Sequence, residues 1–258
     1  PKERMTALEN KCAIKMENIT KRFGSVVANN AINMELREGE ILSLLGENGS
    51  GKTTLMNMLS GIYFPDEGQI CIHDKPVTIA SPKDAFDLGI GMIHQHFKLV
   101  DLFTATENII LGLEGKLDLN NARKKVKDIC DRYGFDIDPD MKIYDMSVSQ
   151  KQTVEIVKVL YRGADILILD EPTAVLTPQE TDKLFAVMRN MKADGKSLII
   201  ITHKLHEVLD VSDRVAVLRK GEYIGDVLTK DADQQSLTDM MVGRRVSLNI
   251  DRPEPQNV

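Results

Sequence analysis

A glycine-rich loop between an apolar strand and a helix constrains this chain more than any other feature of its sequence. The apolar run 41–45 (I-L-S-L-L) leads into residues 46–54 (G-E-N-G-S-G-K-T-T), and a helical pattern begins at Leu55. The spacing G-x-x-x-x-G-K-T is matched at every fixed position. Glycines allow the backbone to curl so that successive N–H groups point inward. The sequence therefore predicts a strand–loop–helix unit whose loop surrounds an anion.

The chemistry of this loop indicates that the anion is the phosphate chain of a nucleoside triphosphate. The helix that follows directs the positive end of its dipole at the loop. Lys52 can reach the β- and γ-phosphates, and the Thr53 hydroxyl can ligate Mg²⁺. The residues predicted to bind the nucleotide are Gly46, Glu47, Asn48, Gly49, Ser50, Gly51, Lys52, Thr53 and Thr54.

Composition argues against several other classes of protein. The 258 residues carry a net charge of −6, whereas a nucleic-acid partner favours a basic face, so we expect no nucleic acid to bind. Cys12, Cys71 and Cys130 are odd in number and lack C-x-x-C spacing, which is typical of a reduced compartment. No apolar run approaches the roughly 20 residues that span a bilayer. We therefore expect any role at a membrane to come from docking onto another chain.

The order of strand and helix patterns predicts an α/β fold. Continuous apolar runs at 41–45 and 166–169 are typical of central parallel strands. Short alternating segments at 69–73 and 75–79 predict an antiparallel β patch in the N-terminal part. The sequence therefore predicts a mostly parallel core sheet covered by helices, the arrangement of a P-loop NTPase.

We expect one nucleotide-binding domain at 13–245, with an inserted helical subdomain at about 97–162. A polar leader is expected at 1–12, and the start of a linker or tail at 246–258.

Four polar residues follow apolar strands, the position at which ligands bind in folds of this class. They are Gln95, Asp170, Glu171 and His203. Asp170 is predicted to hold Mg²⁺, and Glu171 to polarise an attacking water as a general base. Gln95 is predicted to contact the metal and the water, and His203 the γ-phosphate. The alternative is that the two acids form a helix cap and a surface charge, and that the histidine is structural.

The order of these motifs resembles the ATPase subunit of ABC transporters. The matching segments are the loop 46–54, Gln95, 146–150 (M-S-V-S-Q), 166–172 and His203. The resemblance extends over nearly all of residues 13–245 and implies that the nucleotide is ATP. It also implies that Phe23 stacks on the adenine and that Ser147, Ser149 and Gln150 belong to the signature motif. In this family two nucleotide-binding domains enclose two ATP molecules, and each phosphate loop faces the signature of the other domain.

Within the family, three segments look most like bacterial importers of simple sugars and nucleosides. They are 93–97 (I-H-Q-H-F), 171–178 (E-P-T-A-V-L-T-P) and 240–244 (M-M-V-G-R). The resemblance implies membrane permease subunits as partners, with a periplasmic or lipoprotein solute-binding protein acting indirectly. It implies a second nucleotide-binding domain, either in the same chain or in a homodimer. The expected location is the cytoplasmic face of the bacterial membrane, and the chain resembles the first half of a tandem ATPase.

The sequence departs from the family pattern at three positions, and other functions stay open. Ser149 replaces the second glycine of the signature, Thr153 stands where a basic or larger residue is common, and Thr177 stands where an aspartate is common. A Cβ at Ser149 crowds the approach to phosphate. One alternative is therefore a regulatory half that binds ATP with weak turnover. The others are an ABC-type ATPase without a transport role and a P-loop kinase that phosphorylates a small molecule.

Overall fold

The computed structural model describes residues 11–113, 115 and 118–243, which form two sheets and a set of helices. The strands are β1 (Cys12–Phe23), β2 (Val26–Arg37), β3 (Ile41–Leu45), β4 (Glu67–Ile72), β5 (Lys75–Val77), β6 (Ile90–Ile93), β7 (Ile166–Asp170), β8 (Ser197–Thr202), β9 (Arg214–Arg219) and β10 (Glu222–Leu228). The α-helices are α1 (Lys52–Leu59), α2 (Pro82–Asp87), α3 (Ala105–Ile110), α4 (Leu119–Tyr133), α5 (Val148–Tyr161), α6 (Pro178–Ala193), α7 (Leu205–Val211) and α8 (Gln234–Val242).

The larger sheet has the strand order β10-β9-β3-β8-β7-β6. All its neighbouring strands run parallel except β10, which is antiparallel to β9. Every residue of β3, β7 and β8 is buried, as their apolar sequences require of strands with both faces covered. The carboxyl ends of β3, β6, β7 and β8 therefore meet at one edge, which we call the carboxyl edge. The predicted mostly parallel core sheet is confirmed.

The smaller sheet is antiparallel, with the order β2-β1-β4-β5, and it is the predicted N-terminal β patch. Its inward side chains, such as Ile14 and Met34, share one core with α1 and with one face of the larger sheet. The predicted strand 69–73 stops at Ile72, because His73 and Asp74 take positive φ angles of 48° and 61° in the turn to β5.

A helical block lies between β6 and β7 in the chain and contains α3, α4 and α5. It has a core of its own, which includes Ile109, Val126 and Val154. Its helices begin and end at strong signals. The Thr104 side chain caps α3 in a capping box, and Gly134 ends α4 with a φ of 84°.

Most of the two predicted terminal segments, 1–12 and 246–258, lies outside the described residues. The exceptions are Lys11 and Cys12, and Cys12 already belongs to β1. In the described part of the chain, no helix combines the length and the apolar character that crossing a bilayer requires.

Candidate nucleotide-binding site

A cleft of about 740 Å³ opens at the carboxyl edge of the larger sheet. Its lining residues come from the phosphate loop, from the ends of four strands and from the turn after β9. They are Val26, Val27, Ala28, Asn48, Gly49, Gly51, Lys52, Thr53, Thr54, Gln95, Asp170, Glu171, Ala174, Ile201, His203, Lys220 and Gly221. The structure thus brings Gln95, Asp170, Glu171 and His203 to one cleft with the loop.

Close backbone approaches explain two of the loop glycines. A Cβ at Gly46 would collide with Leu218 O and with the Ser50 hydroxyl, and one at Gly51 would collide with Ala28 O. Gly51 also has a φ of 98° and stands immediately before the first residue of α1. The loop therefore packs against β9 and β2 at positions where only glycine fits.

Lys52 bridges the two ends of the loop. Its Nζ donates hydrogen bonds to Gly46 O (2.7 Å) and to Glu47 O (2.9 Å). Burial lowers the pKa of this ammonium, while the nearby Glu171 and Asp170 raise it. Lys52 is only 6% exposed, so phosphate oxygens entering the cleft would offer the charge a stronger partner than two carbonyl groups. Gly46 and Glu47 thus hold the lysine, and Ser50 is buried within the loop.

Asp170 and Glu171 form an acidic pair with little solvent around it. Asp170 is 9% exposed, and its pKa is raised by burial and by the neighbouring Glu171, against a lowering by Lys52. Glu171 Oε2 is buried and has no hydrogen-bond partner in the described part of the chain. Two acids held in this way favour the arrival of a cation.

The cleft residues fit Mg²⁺. Thr53, Gln95 and Asp170 would supply a hydroxyl, an amide oxygen and a carboxylate, which are hard oxygen donors. Among the described residues, no group of three or more His, Cys, Asp or Glu side chains forms a metal site. A single carboxylate suits Mg²⁺ in particular, because this ion retains water and phosphate oxygens as further ligands.

Glu171 contacts His203 across the carboxyl edge. His203 Nδ1 lies 2.9 Å from Glu171 Oε1. The backbone of Glu171 has a φ of 49°, a left-handed conformation that costs a non-glycine residue about 1–3 kcal/mol. Its N–H donates to Ile201 O (2.9 Å), which attaches this strained residue to β8. The surrounding contacts must therefore hold the glutamate in place.

The predicted signature lies in a different cavity. Ser147 caps α5 in a capping box: Gln150 N donates to Ser147 Oγ (3.2 Å), and Ser147 N donates to Gln150 Oε1 (2.9 Å). Ser147, Ser149 and Gln150 line a cavity of about 550 Å³ between α5 and α6, and none of them lines the cleft. Within one copy of the chain, the structure does not bring the signature to the phosphate loop.

Phe23 lies just outside the cleft, at the end of β1. Its ring is 43% exposed and meets Tyr63 edge-on, with 5.1 Å between ring centroids. Val26, which pairs with Phe23 across the β1–β2 hairpin, lines the cleft together with Val27. The aromatic residue thus stands at the rim, beside an apolar wall.

Sequence reasoning missed two segments that form part of this site, the start of β2 and the turn after β9. Val26, Val27 and Ala28 form one wall, and Lys220 and Gly221 form another. The residues 220–221 do carry the signal of a tight turn, but only the pairing of β9 with β3 brings that turn to the loop, where Gly221 N donates to Ser50 O (3.0 Å).

Comparisons with known proteins agree with this geometry. The family model described as "ABC transporter" matches residues 29–174, more than half of the chain. The nucleoside import ATP-binding protein NupA of Lactococcus lactis is 53% identical over 253 residues, which are 96% of this chain and 50% of that protein. The chain spans about half the length of the curated relatives it matches.

Two solved structures share the fold. The ADP conformation of MJ1267, an ATP-binding cassette of an ABC transporter, has a TM-score of 0.79 and 26% identity and covers 91% of this chain and 99% of its own. The dimeric structure of MJ0796, a bacterial ABC transporter cassette, has a TM-score of 0.73 and 25% identity and covers 84% of this chain and 98% of its own.

Proposed function

The chain belongs to the ABC transporter family, and we propose that it binds and hydrolyses ATP to drive the import of a nucleoside or simple sugar through a membrane permease. The observation that carries this proposal is the meeting of Lys52, Asp170, Glu171 and His203 in one cleft. The relative NupA supports a nucleoside as the solute. The location that follows is the cytoplasmic face of a bacterial membrane, with a solute-binding protein acting through the permease.

The cleft residues have complementary roles in this proposal. The loop amides and Lys52 bind the β- and γ-phosphates, and Phe23 stacks on the adenine from the rim. Thr53, Gln95 and Asp170 would hold Mg²⁺, which would neutralise charge on the phosphates. Glu171 accepts a proton from the attacking water, and His203 holds the glutamate through Oε1.

The second half of each ATP site comes from another nucleotide-binding domain. The signature residues Ser147, Ser149 and Gln150 are exposed to a cavity apart from the cleft, so within one domain they have no phosphate to contact. Their capped helix α5 offers N-terminal N–H groups to a phosphate from outside. The second domain is either a further part of the same polypeptide or a second copy of this chain.

Size-exclusion chromatography of the Glu171→Gln variant tests this proposal. The substitution removes the general base but retains size and binding, so ATP should accumulate unhydrolysed. We expect a shift from monomer to dimer on adding Mg²⁺ and ATP, and no shift in a Glu171→Gln/Lys52→Met variant that also lacks the phosphate ligand. A monomer that binds ATP would mean that the partner is a different domain. Failure to bind ATP at all would contradict the proposed function.

The permease docks, in this proposal, in a groove beside Gln95. This groove has a volume of about 270 Å³ and lies between α2 and α5, and His94 and Lys98 line it from the segment around Gln95. Lys158 lines it from α5 and Arg162 from the residue that follows this helix, and burial lowers the pKa of both side chains.

The groove therefore has an excess of positive charge. Among the described residues that line it, Glu155 carries the one carboxylate, and this already accepts a hydrogen bond from Lys98 N (2.8 Å). This charge favours a permease segment that presents carboxylates.

Charge reversal tests the docking groove. We expect Lys158→Glu to abolish ATP-driven transport in reconstituted vesicles and to leave ATP affinity unchanged. Lys124→Glu, the same change at an exposed position of α4 away from the groove, serves as the control. A loss of nucleotide affinity in Lys158→Glu would count against this assignment.

The runner-up function is a regulatory half that binds ATP and turns it over weakly. Side chains at two positions of the signature favour it. Val148 is 45% exposed, and Ser149 lines the cavity at a position where the family pattern has a glycine. A dimer of Glu171→Gln that forms while the unsubstituted chain hydrolyses ATP only slowly would favour this alternative.

A further inference from the structure

A partly buried ion pair at the start of α7 holds Thr173, a residue of the loop after β7. Lys204 Nζ donates to Glu207 Oε1 (3.0 Å), to Thr173 O (3.0 Å) and to Thr173 Oγ1 (3.2 Å). The Thr173 hydroxyl donates in turn to Glu207 Oε2 (2.5 Å). These three side chains, which we call the clamp, form a closed set of hydrogen bonds.

Two of the three clamp residues are shielded from water, and the Lys204 side chain is 29% exposed. Thr173 is 1% exposed and Glu207 is 5% exposed, so their hydrogen bonds lie in a medium where charge-assisted contacts are strong. Both oxygens of Glu207 have a donor, and the ammonium of Lys204 has three acceptors. Since no member is left unsatisfied, the clamp holds the loop after β7 and the start of α7 in one arrangement.

The clamp stands next to the two residues that contact each other across the carboxyl edge. Thr173 follows Glu171 by two positions, and Lys204 follows His203 by one. Glu171 has a positive φ of 49°, a conformation that persists only where surrounding contacts impose it. Gln152 adds a second contact to the same loop by donating to Pro172 O (2.6 Å).

None of the three clamp residues lines the nucleotide cleft, whereas Glu171 and His203 both do. Changes in the clamp therefore reach the reaction through the placement of neighbouring cleft residues such as Glu171 and His203, and not through contact with the nucleotide. A misplacement of about 1 Å in a reacting group is enough to lower a rate by two orders of magnitude.

We propose that Lys204, Glu207 and Thr173 are positioning residues that hold Glu171 against His203 and thereby set the rate of ATP hydrolysis without contributing to ATP binding. This inference rests on the proposed function, since it concerns the same cleft.

Three variants of the chain test the clamp. Lys204→Met and Glu207→Met each leave one charge unpaired, so both should lose stability to urea, and the double variant should regain most of that stability. We expect kcat to fall about tenfold or more in all three variants, because each removes at least one of the contacts that hold Thr173 and the double variant removes all of them. The dissociation constant for a fluorescent ATP analogue should stay within about twofold, as no clamp residue lines the cleft.

Recovery of kcat together with stability in the double variant would overturn the proposal, because the clamp would then serve stability alone. A weaker affinity for the ATP analogue in step with kcat would overturn it as well. Lys196→Met is the matched control, because Lys196 forms an ion pair with Asp165 (2.6 Å) away from the cleft, and its kcat should equal that of the unsubstituted chain. Lys204→Arg should restore part of kcat, since it keeps the charge and several donors.

A measurement without turnover separates this inference from the proposed function. The ¹⁵N chemical shift of His203 Nδ1 reports the hydrogen bond to Glu171 Oε1, which is 2.9 Å long in the intact chain. We expect this signal to move in Lys204→Met and to stay in place in Lys196→Met. If the unsubstituted chain hydrolyses no ATP, the proposed function fails, and the shift still decides whether the clamp holds the pair. An unmoved signal in Lys204→Met would contradict the clamp.

Discussion

The two edges of the larger sheet use buried charge in opposite ways. At the amino edge, where β3, β8 and β9 begin, charged groups satisfy one another. At the carboxyl edge, where β3, β7 and β8 end, they remain incompletely satisfied around the cleft. Both edges belong to the same sheet. The difference in the use of charge therefore comes from the partners that the side chains find at each edge.

Arg214 is the centre of the amino edge. Its guanidinium donates to Glu40 Oε1 (2.8 Å) and Oε2 (3.1 Å), to Glu35 O (2.6 Å) and to Asp226. Burial alone would lower its pKa, but the hydrogen bonds and charges of Glu40 and Asp226 raise it above the usual value. This edge thus uses its charges to join β9 to β10 and to the smaller sheet.

The carboxyl edge has charged residues of the same types, but their hydrogen-bonding and ionic partners are incomplete. Burial lowers the pKa of Lys52 and raises that of Asp170, and Glu171 Oε2 lacks a partner in the described part of the chain. Phosphate would give Lys52 a stronger partner than its two carbonyl groups, and a cation would give the acids a further one. The comparison teaches that the cleft gives up stability of the free protein in order to bind a ligand, whereas the opposite edge supplies stability.

Arg214→Met should produce the largest loss of stability. The variant leaves Glu40 buried and unpaired, which we expect to reduce the free energy of unfolding by about 3–5 kcal/mol. Urea denaturation followed by circular dichroism measures this change. Turnover under conditions where the variant is fully folded should equal that of the unsubstituted chain, because Arg214 lies at the edge opposite the cleft.

A double variant decides whether an unpaired charge is the cause. Glu40→Leu/Arg214→Met removes both members of the pair, and we expect it to recover a large part of the lost stability. An Arg214→Met variant that loses less than about 1 kcal/mol would contradict the role given to the amino edge.

Lys52→Met tests the carboxyl edge and should lower the affinity for ATP while leaving the stability of the free protein nearly unchanged. Removing the cation takes a charge-assisted contact from the phosphates, which costs about 1.5–3 kcal/mol of ATP binding, a loss of roughly 10- to 150-fold in affinity. The ATP-free variant should unfold within about 1 kcal/mol of the unsubstituted chain, since the lysine is held only by two carbonyl groups there. Titration with a fluorescent ATP analogue and urea denaturation give the two numbers. A large loss of stability with unchanged affinity would reverse the comparison.

Much of the fold was predictable because its signals are local. The continuous apolar runs of β3 and β7 predict strands covered on both faces, and both are fully buried. The glycine spacing of 46–54 predicts the loop for the same reason. The sheet order was not predictable in this way, because β9 pairs with β3 across about 170 residues and no local pattern encodes that pairing.

The candidate site likewise contains residues that were predictable from local signals and residues that were not. Gln95, Asp170 and His203 were predicted because each follows an apolar strand, and parallel strands end at one edge. The clamp of Thr173, Lys204 and Glu207 was missed, because the 31 and 34 residues that separate Thr173 from its two partners hide the contact. In the sequence, each of these residues taken alone looks like part of an ordinary loop or of a surface helix.

Lys196→Met should cause the smallest loss of stability. It tests whether burial of the ion pairs is the property that stabilises the amino edge. Lys196 pairs with Asp165 (2.6 Å), and the carboxylate side chain is 67% exposed, in contrast to Glu40, the partner of Arg214 whose side chain is 6% exposed. An exposed pair contributes about 0–1 kcal/mol and is screened by salt. We therefore expect urea denaturation to show a loss of at most about 1 kcal/mol at low salt that largely disappears at 1 M NaCl, while the loss in Arg214→Met persists. If the loss of stability depended equally on salt in the two variants, burial would not explain the difference between the two ion pairs. The stability of the amino edge would then depend only on how many charges are paired there.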